Sequence, residues 1–335
     1  MKILVRLPNW LGDMVMSVGF INQLQQYYPQ CEISVIVKKG LQDILPYFPH
    51  IKHQFVFSKD EYKGIMGVWR FGQKIKATEK FDLFFCLPDS FSSALMGYAT
   101  GAKKRVGYQK ELRNFLLTNT YIKPKNLHRV EEYIALLKLF TRQEPFPIQV
   151  RLHHTYPKED YIVVNVNSEA QSRRLTVPKA VELINALRQQ TSNKIYIIGA
   201  PKEMPFIDEI YGLLATTDNI ENVAGKTGMP QLIQLLASAR IMLTTDSGPA
   251  HLANALGTAT VVLFGAGNEA NTAPYNTDWN TVIRLGKLSC EPCLKNTCIR
   301  YETPQCLVQL STDYIIQTTI EKAIANGKNE YGNRS

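Results

Sequence analysis

Short apolar runs alternate with helically spaced segments along this chain. The runs Ile3–Leu7, Ile33–Val37 and Phe81–Leu87, then Tyr161–Val166, Ile195–Ile198, Ile241–Leu243 and Thr260–Phe264, are almost unbroken by polar residues. A strand with one wet face alternates apolar with polar positions, so runs without alternation predict parallel strands buried on both faces. Between them lie Val15–Tyr28, Val130–Phe140, Ala180–Gln189 and Leu232–Ala239, whose apolar positions recur at helical spacing. Strand then helix, repeated through both halves, is the pattern of a doubly wound α/β fold.

The periodicity lapses once, from Gln143 to Lys158, where Pro145, Pro147 and Pro157 punctuate the chain before a fresh strand start at Tyr161. A chain of 335 residues also exceeds what one core usually organises. These observations predict two Rossmann-like domains, residues 1–150 and 151–335. Two such domains facing each other would form a cleft at the carboxyl ends of their sheets, where open α/β folds bind ligands.

With 45% apolar and 20% charged residues, the composition is that of a globular protein rather than a disordered or fibrous one. Lys2, Arg6 and Pro8 interrupt the opening where a signal peptide needs its apolar stretch, and no transmembrane-length apolar run follows, so a cytoplasmic location is expected. Charge divides unevenly. Residues 1–150 carry 21 Lys+Arg against 12 Asp+Glu, a net +9, whereas residues 151–335 carry 17 of each. Such asymmetry suits an anionic partner for the first half, whether a phosphate-bearing substrate, a membrane surface or nucleic acid, or else a solvated basic face. No RRM, KH, zinc-finger or helix-turn-helix signature accompanies the charge, so a nucleic-acid partner is not expected.

Three loops that follow strands collect polar groups. In the first, Arg6 to Ser17, Gly12 permits a tight turn and Asp13 stands near the next helix start, either as an N-cap or as a carboxylate beside a substrate. In the second, Thr244 to His251, the small residues Ser247 and Gly248 would let helix-start amides approach a diphosphate, with Asp246 and His251 at the same mouth. A satisfied, partly buried histidine is the plain alternative for His251. The third, Asn165 to Arg174, carries Ser168 and an arginine pair, suited to phosphate or simply solvated. Neither GxGxxG nor a Walker loop occurs.

These segments resemble the heptosyltransferase family of lipopolysaccharide inner-core assembly. The match runs through Pro8–Asp13, Leu87–Leu95, Arg105–Tyr108, His128–Tyr133, Ala224–Thr227 and Asp246–His251, in the family's order. The resemblance implies a GT-B architecture with acceptor bound by the first domain and ADP-heptose, or a related nucleotide sugar, by the second. It implies an inverting transfer to an anionic lipid A–core acceptor without metal or cofactor, with contact at the cytoplasmic membrane surface. Asp13 then corresponds to the base. Ser168 and Arg173 correspond to diphosphate contacts, Glu203 to a ribose-side carboxylate, Thr227 to the adenine side, and Asp246, Ser247, Gly248 and His251 to further donor contacts. Asn9 and Trp10, with the basic run Lys103, Lys104 and Arg105, are the acceptor-side candidates. A transferase using another nucleotide sugar or acceptor is the alternative, followed by an epimerase or hydrolase of sugar nucleotides.

Departures from the family are Arg173 at a usual lysine, Leu175 at a usual tryptophan, and Asp89 without a common neighbouring arginine. Cys290, Cys293, Cys298 and Cys306 form a dense cluster. Structural thiols without bound metal, a zinc site and a redox role are all open readings of it.

Overall fold

The computed structural model describes residues 1–332, with the side chains of Glu111 and of residues 326–332 excepted. Residues 333–335, the end of the expected second domain, lie outside the described residues. The chain divides into two compact units, Met1–His153 and His154 onward.

The first unit holds strands β1 Lys2–Arg6, β2 Glu32–Lys38, β3 Ile51–Phe57, β4 Leu83–Cys86, β5 Lys104–Tyr108 and β6 Asn119–Tyr121. They form one sheet in the order β3-β2-β1-β4-β5-β6, all pairs parallel. Its helices are α1 Leu11–Met16, α2 Val18–Tyr27, α3 Gly64–Thr78, α4 Phe91–Ala99 and α5 Arg129–Thr141. Consecutive side chains of a strand point to opposite faces, and β4 shows both. Phe84 joins the core cluster that contains Phe71 of α3 and Ala94 of α4. Phe85 packs edge-on against Phe20 of α2 and Phe140 of α5, with ring centroids 5.2 and 5.4 Å apart. Gly97 makes the packing of Phe84 on α4 feasible, since a Cβ there would stand 2.2 Å from the Phe84 ring.

The second unit repeats the plan with β7 Tyr161–Asn165, β8 Lys194–Ile197, β9 Ile220–Asn222, β10 Ile241–Thr245, β11 Ala259–Phe264 and β12 Asn280–Arg284, ordered β12-β11-β10-β7-β8-β9 and again parallel. Its helices are α6 Val177–Gln190, α7 Met204–Gly212, α8 Met229–Ser238, α9 Gly248–Ala255, α10 Glu269–Thr272, α11 Gln305–Val308 and α12 Thr312–Gly332. Val261 and Leu263 of β11 enter the large core with α6, α7 and α12, while Val262 and Phe264 pack on Ala250 of α9. Among the described residues no helix is long and apolar enough to cross a membrane.

Candidate functional site

In each sheet the chain leaves its first strand toward one edge and later returns to build toward the other. The loops after β1 and β4, and those after β7 and β10, therefore diverge at the carboxyl ends and leave a crevice between them. Asp13 and Asp89 flank the first crevice; Ser168 and Asp246 flank the second.

Arg6, at the end of β1, is buried, and loss of hydration pulls its guanidinium down to about 10. It donates to the carbonyls of Leu7 and Ile36 at 2.6 and 3.2 Å and to the Asn9 side chain, which fixes the loop before α1. Trp10, extended at φ −108°, is the N-cap residue of α1 and makes no side-chain cap bond; Asp13 sits in the helix's first turn. Asp13 is thus not the N-cap. Arg129 Nε stands 3.4 Å from Asp13 Oδ1, and its Nη1 donates to both Glu132 carboxylate oxygens at 2.7 and 2.9 Å.

The charges continue in alternating sign. Lys123 Nζ reaches Glu132 at 2.6 Å and Asp89 at 2.7 Å; buried Arg113 donates to the Pro88 carbonyl at 2.7 Å and lies 3.9 Å from Asp89. Their placement depends on where α5 begins. His128 caps it by accepting from the Val130 N–H, and Glu131 accepts from the His128 N–H, a reciprocal box that puts Arg129 and Glu132 at the crevice. Tyr133, fully buried on the same turn, has its hydroxyl raised well above the usual range, first by burial and then by the Asp13 charge. For Arg129 burial alone would lower the pKa, but Tyr133, Glu132 and Asp13 outweigh it and the net shift is upward.

Lys103, Lys104 and Arg105 are not brought to this crevice. They lie at the amino end of β5, the opposite edge of the sheet. There Lys103 pairs with Asp82 at 2.7 Å, Lys104 stands 5.9 Å over the Phe140 ring, and Arg105 donates to the carbonyls of Leu116 and Ala102. A run of cations in sequence does not say which end of a strand it occupies. Lys38, 5.5 Å over the Trp10 ring, and Lys123 hold positive charge at the proper end instead.

In the second unit, hydrogen bonds lace the loop after β7 to the loop after β10. Asn165 Nδ2 donates to Thr244 and Ser247 at 3.1 and 2.8 Å, Thr245 Oγ1 donates to the Asn167 carbonyl, and Ser168 Oγ donates to the Asp246 carbonyl at 3.2 Å. The Asp246 carboxylate is 4% exposed. Arg173 Nη1 stands 3.2 Å from its Oδ2, yet that oxygen accepts no aligned hydrogen bond. Burial dominates: the carboxyl is raised to about 6, against the opposing pull of Arg173 and Arg284 and with a smaller push from Glu269. Gly267 makes room for it, because a Cβ there would lie 2.2 Å from Oδ2.

Ser247 precedes α9 in extended conformation with no side-chain cap, and Pro249 in the first turn has no N–H to offer. The amides of Ser247 and Gly248 and the positive end of α9 thus open on the same crevice as Arg173. His251 is buried in α9. Glu203 follows β8, where it accepts from the Ala200 N–H at 2.7 Å; Thr227 follows β9 and is half-buried. A backbone bond from Gly225 to Gly199 at 2.8 Å ties those two loops together. The arginine pair separates, with Arg174 stacking 4.5 Å from the Phe206 ring, and Leu175 is core.

Of the four cysteines, Cys290, Cys293 and Cys298 lie around Cys306, whose thiol burial pushes up to about 11, aided by Glu291 and by those three neighbours. All are free thiols, and among the described residues no group of three His, Cys, Asp or Glu is arranged to hold a metal ion. Their loop braces the site. Ser172 is hydrogen-bonded through N–H and Oγ to the carbonyls of Asn296 and Lys295, and the Leu294 N–H donates to Ala266 at 2.9 Å. Arg284 donates to the carbonyls of Gly265 and Gly267 and pairs with Glu269 at 2.5 Å. Residue-by-residue reading missed Arg129, Glu132, Lys123, Arg113 and Arg284 as site elements. The signal for two of them was the segment His128–Tyr133, which carried a family resemblance but no assigned role.

The first crevice can hold a hydroxyl-bearing acceptor against a carboxylate. The second can hold an anion between a guanidinium and a helix start. The sequence profile of glycosyltransferase family 9 (heptosyltransferase) matches residues 68–303. A lipopolysaccharide heptosyltransferase 2 of Escherichia coli is 28% identical over 305 residues, covering 82% of this chain and 86% of the relative. A lipopolysaccharide core heptosyltransferase of Haemophilus influenzae is 27% identical over 289 residues, 81% of each. The structure of the E. coli ADP-heptose lipopolysaccharide heptosyltransferase II superposes with a TM-score of 0.83 at 25% identity, covering 98% of this chain and 100% of that one. The chain belongs to glycosyltransferase family 9, the heptosyltransferases.

Proposed function

We propose that this enzyme transfers heptose from ADP-heptose to the inner core of a lipopolysaccharide acceptor, in the cytoplasm, with inversion and without a metal or cofactor. The first unit takes the anionic lipid A–core acceptor and the second takes the donor. The observation that carries the reading is the meeting of Arg173 with the uncapped start of α9 at the second crevice. A departing diphosphate needs fixed positive charge and N–H donors, and this is where the fold concentrates both.

The acceptor hydroxyl attacks the anomeric carbon as the bond to the diphosphate oxygen breaks and ADP leaves. Asp13 takes the hydroxyl proton; Arg129, 3.4 Å away, orients its carboxylate. Asn9 and Trp10 line the acceptor side, joined by Lys38 and Lys123, with Lys103, Lys104 and Arg105 left out on geometric grounds. Ser168, Arg173, Ser247 and Gly248 bind the diphosphate, Asp246 and His251 the sugar end, Glu203 the ribose and Thr227 the adenine side.

A second reading, the same chemistry with a different nucleotide sugar, is favoured by Arg173 and Leu175 at positions where the family resemblance leads one to expect lysine and tryptophan. Mass spectrometry of products from the purified enzyme, offered several nucleotide sugars and truncated core lipids, decides between them. Heptose addition from ADP-heptose alone supports the first reading; preference for another donor supports the second. Donor turnover without acceptor would make the protein an epimerase or hydrolase.

A further inference from the structure

Six large apolar side chains of the first unit are more than half exposed: Trp10 (58%), Ile65 (69%), Met66 (67%), Leu112 (76%), Phe115 (69%) and Ile122 (78%). Scattered exposed apolar residues are ordinary on a protein surface and call for no explanation. These are not scattered. Trp10 follows β1, Ile65 and Met66 open the helix after β3, Leu112 and Phe115 lie in the 3-10 turn Glu111–Leu116 after β5, and Ile122 follows β6. Since every strand of the sheet is parallel, Trp10, Ile65, Met66, Leu112 and Ile122 stand at the carboxyl edge that also carries Asp13; the turn after β5 then descends toward Arg105, and Phe115 stays with that edge through its ring contact with Phe91 at the start of α4.

The densest part lies beyond β5 and β6. Phe91, at the start of α4, places its ring 6.3 Å from that of Phe115. Tyr108 is in register with Tyr121 and the Gln109 N–H donates to the Tyr121 carbonyl, so Ile122 emerges beside the turn that carries Leu112 and Phe115. Exposed Lys110 precedes that turn, and exposed Lys125 follows Ile122 three residues on. An apolar tip flanked by lysines is the composition that enters the headgroup layer of an anionic bilayer: the rings and aliphatic chains pass the headgroups and the ammonium groups stay among the phosphates. The charge imbalance agrees, with the net +9 confined to residues 1–150.

We propose that Leu112, Phe115 and Ile122, with Lys110 and Lys125, form a docking surface for an anionic phospholipid bilayer, which holds the acceptor crevice of the first unit against the membrane that carries its glycolipid. This deepens the proposed function and rests on it only for the last clause; binding to plain lipid requires no heptose chemistry.

The test is sedimentation of the full-length protein with vesicles of phosphatidylethanolamine and phosphatidylglycerol, in the absence of glycolipid and nucleotide sugar. The wild-type protein is expected to pellet with these vesicles, less so at high salt, and little with phosphatidylcholine alone. The double substitution Leu112→Ser, Phe115→Ser should weaken partition about tenfold or more, given the transfer free energy of two large side chains. Lys110→Gln and Lys125→Gln should each weaken it about fivefold. Leu213→Ser, a 58% exposed leucine of the second unit, should leave it unchanged. Transfer to a lipid-free truncated core acceptor should persist in every variant. If the wild type transfers no heptose but binds vesicles in this pattern, the function fails and the docking surface stands. Wild-type protein that ignores anionic vesicles overturns the surface, as do apolar and lysine variants that bind like wild type. A dimer abolished by Leu112→Ser, without vesicle binding, overturns it in favour of self-association.

Discussion

Replacing Asp246 by Asn tests whether burial or the neighbouring arginines govern the second crevice. The carboxyl is raised from an ordinary 3.8 to about 6, chiefly by burial, while Arg173 and Arg284 fail to offset the loss of hydration. A raised folded-state pKa means that the folded protein holds this proton more tightly than the unfolded chain does. Stability therefore falls as pH climbs through the window from about 4 to 6, and above it the fold carries the full cost of the buried charge. A shift of roughly two units corresponds to about 3 kcal/mol. Asn keeps the shape and removes the charge; Arg284 retains Glu269 and Glu291, and Arg173 is 29% exposed, so water can serve it. The assay is urea unfolding of wild type and Asp246→Asn across that pH window. Trp279, bonded to Asn254 of α9 at 2.9 Å, reports the second unit in a background where Trp10 and Trp69 are Phe. The wild-type stability minus that of the variant should decline by about 3 kcal/mol from the acid to the neutral side. A difference that is flat, or that rises with pH, would mean that the Arg173 pairing dominates and that burial has been overweighted.

Four further outcomes follow from the same geometry. Asp13→Asn should lower single-turnover transfer by about 10²–10⁴-fold at unchanged melting temperature, since Trp10 and not Asp13 is the N-cap residue of α1; a loss within threefold would remove Asp13 as base. Arg173→Ala should raise donor KM and lower kcat, with kcat/KM reduced by roughly 10–100-fold for the loss of a charged hydrogen bond, and unchanged kinetics would move the diphosphate elsewhere. Glu132→Gln leaves Arg129 and Lys123 without their shared carboxylate and should cost about 2 kcal/mol in urea unfolding, whereas wild-type stability would show the charge string to be inert. Lys103→Gln should leave acceptor KM within about twofold, because this lysine is 77% exposed and paired with Asp82 at the far edge of the sheet; a larger rise would return it to the site.

Local sequence was sufficient wherever an element is buried on both sides. β1, β2, β7, β10 and β11 are central or nearly so, and each appears as an almost unbroken apolar run because both faces meet helices. The edge strands β3, β6, β9 and β12, and β5 beside one of them, were not legible: β3 reads Ile-Lys-His-Gln-Phe-Val-Phe, β5 begins Lys-Arg, and β6 and β9 are three residues long, so solvent and brevity erase the pattern. Loop chemistry was partly visible for the same reason. Small and polar residues such as Ser247 and Gly248 directly after a buried strand can only lie at its carboxyl end. What sequence could not supply was which distant residues meet there, or at which end of a strand a charge falls. Arg129 meets Asp13 because β1 and α5 converge on one crevice, Arg173 meets Asp246 because β7 neighbours β10, and Lys103 is excluded because it precedes β5 rather than following it. Those are consequences of strand order, and strand order is set by the packing of whole layers, to which each residue contributes only its share of buried surface.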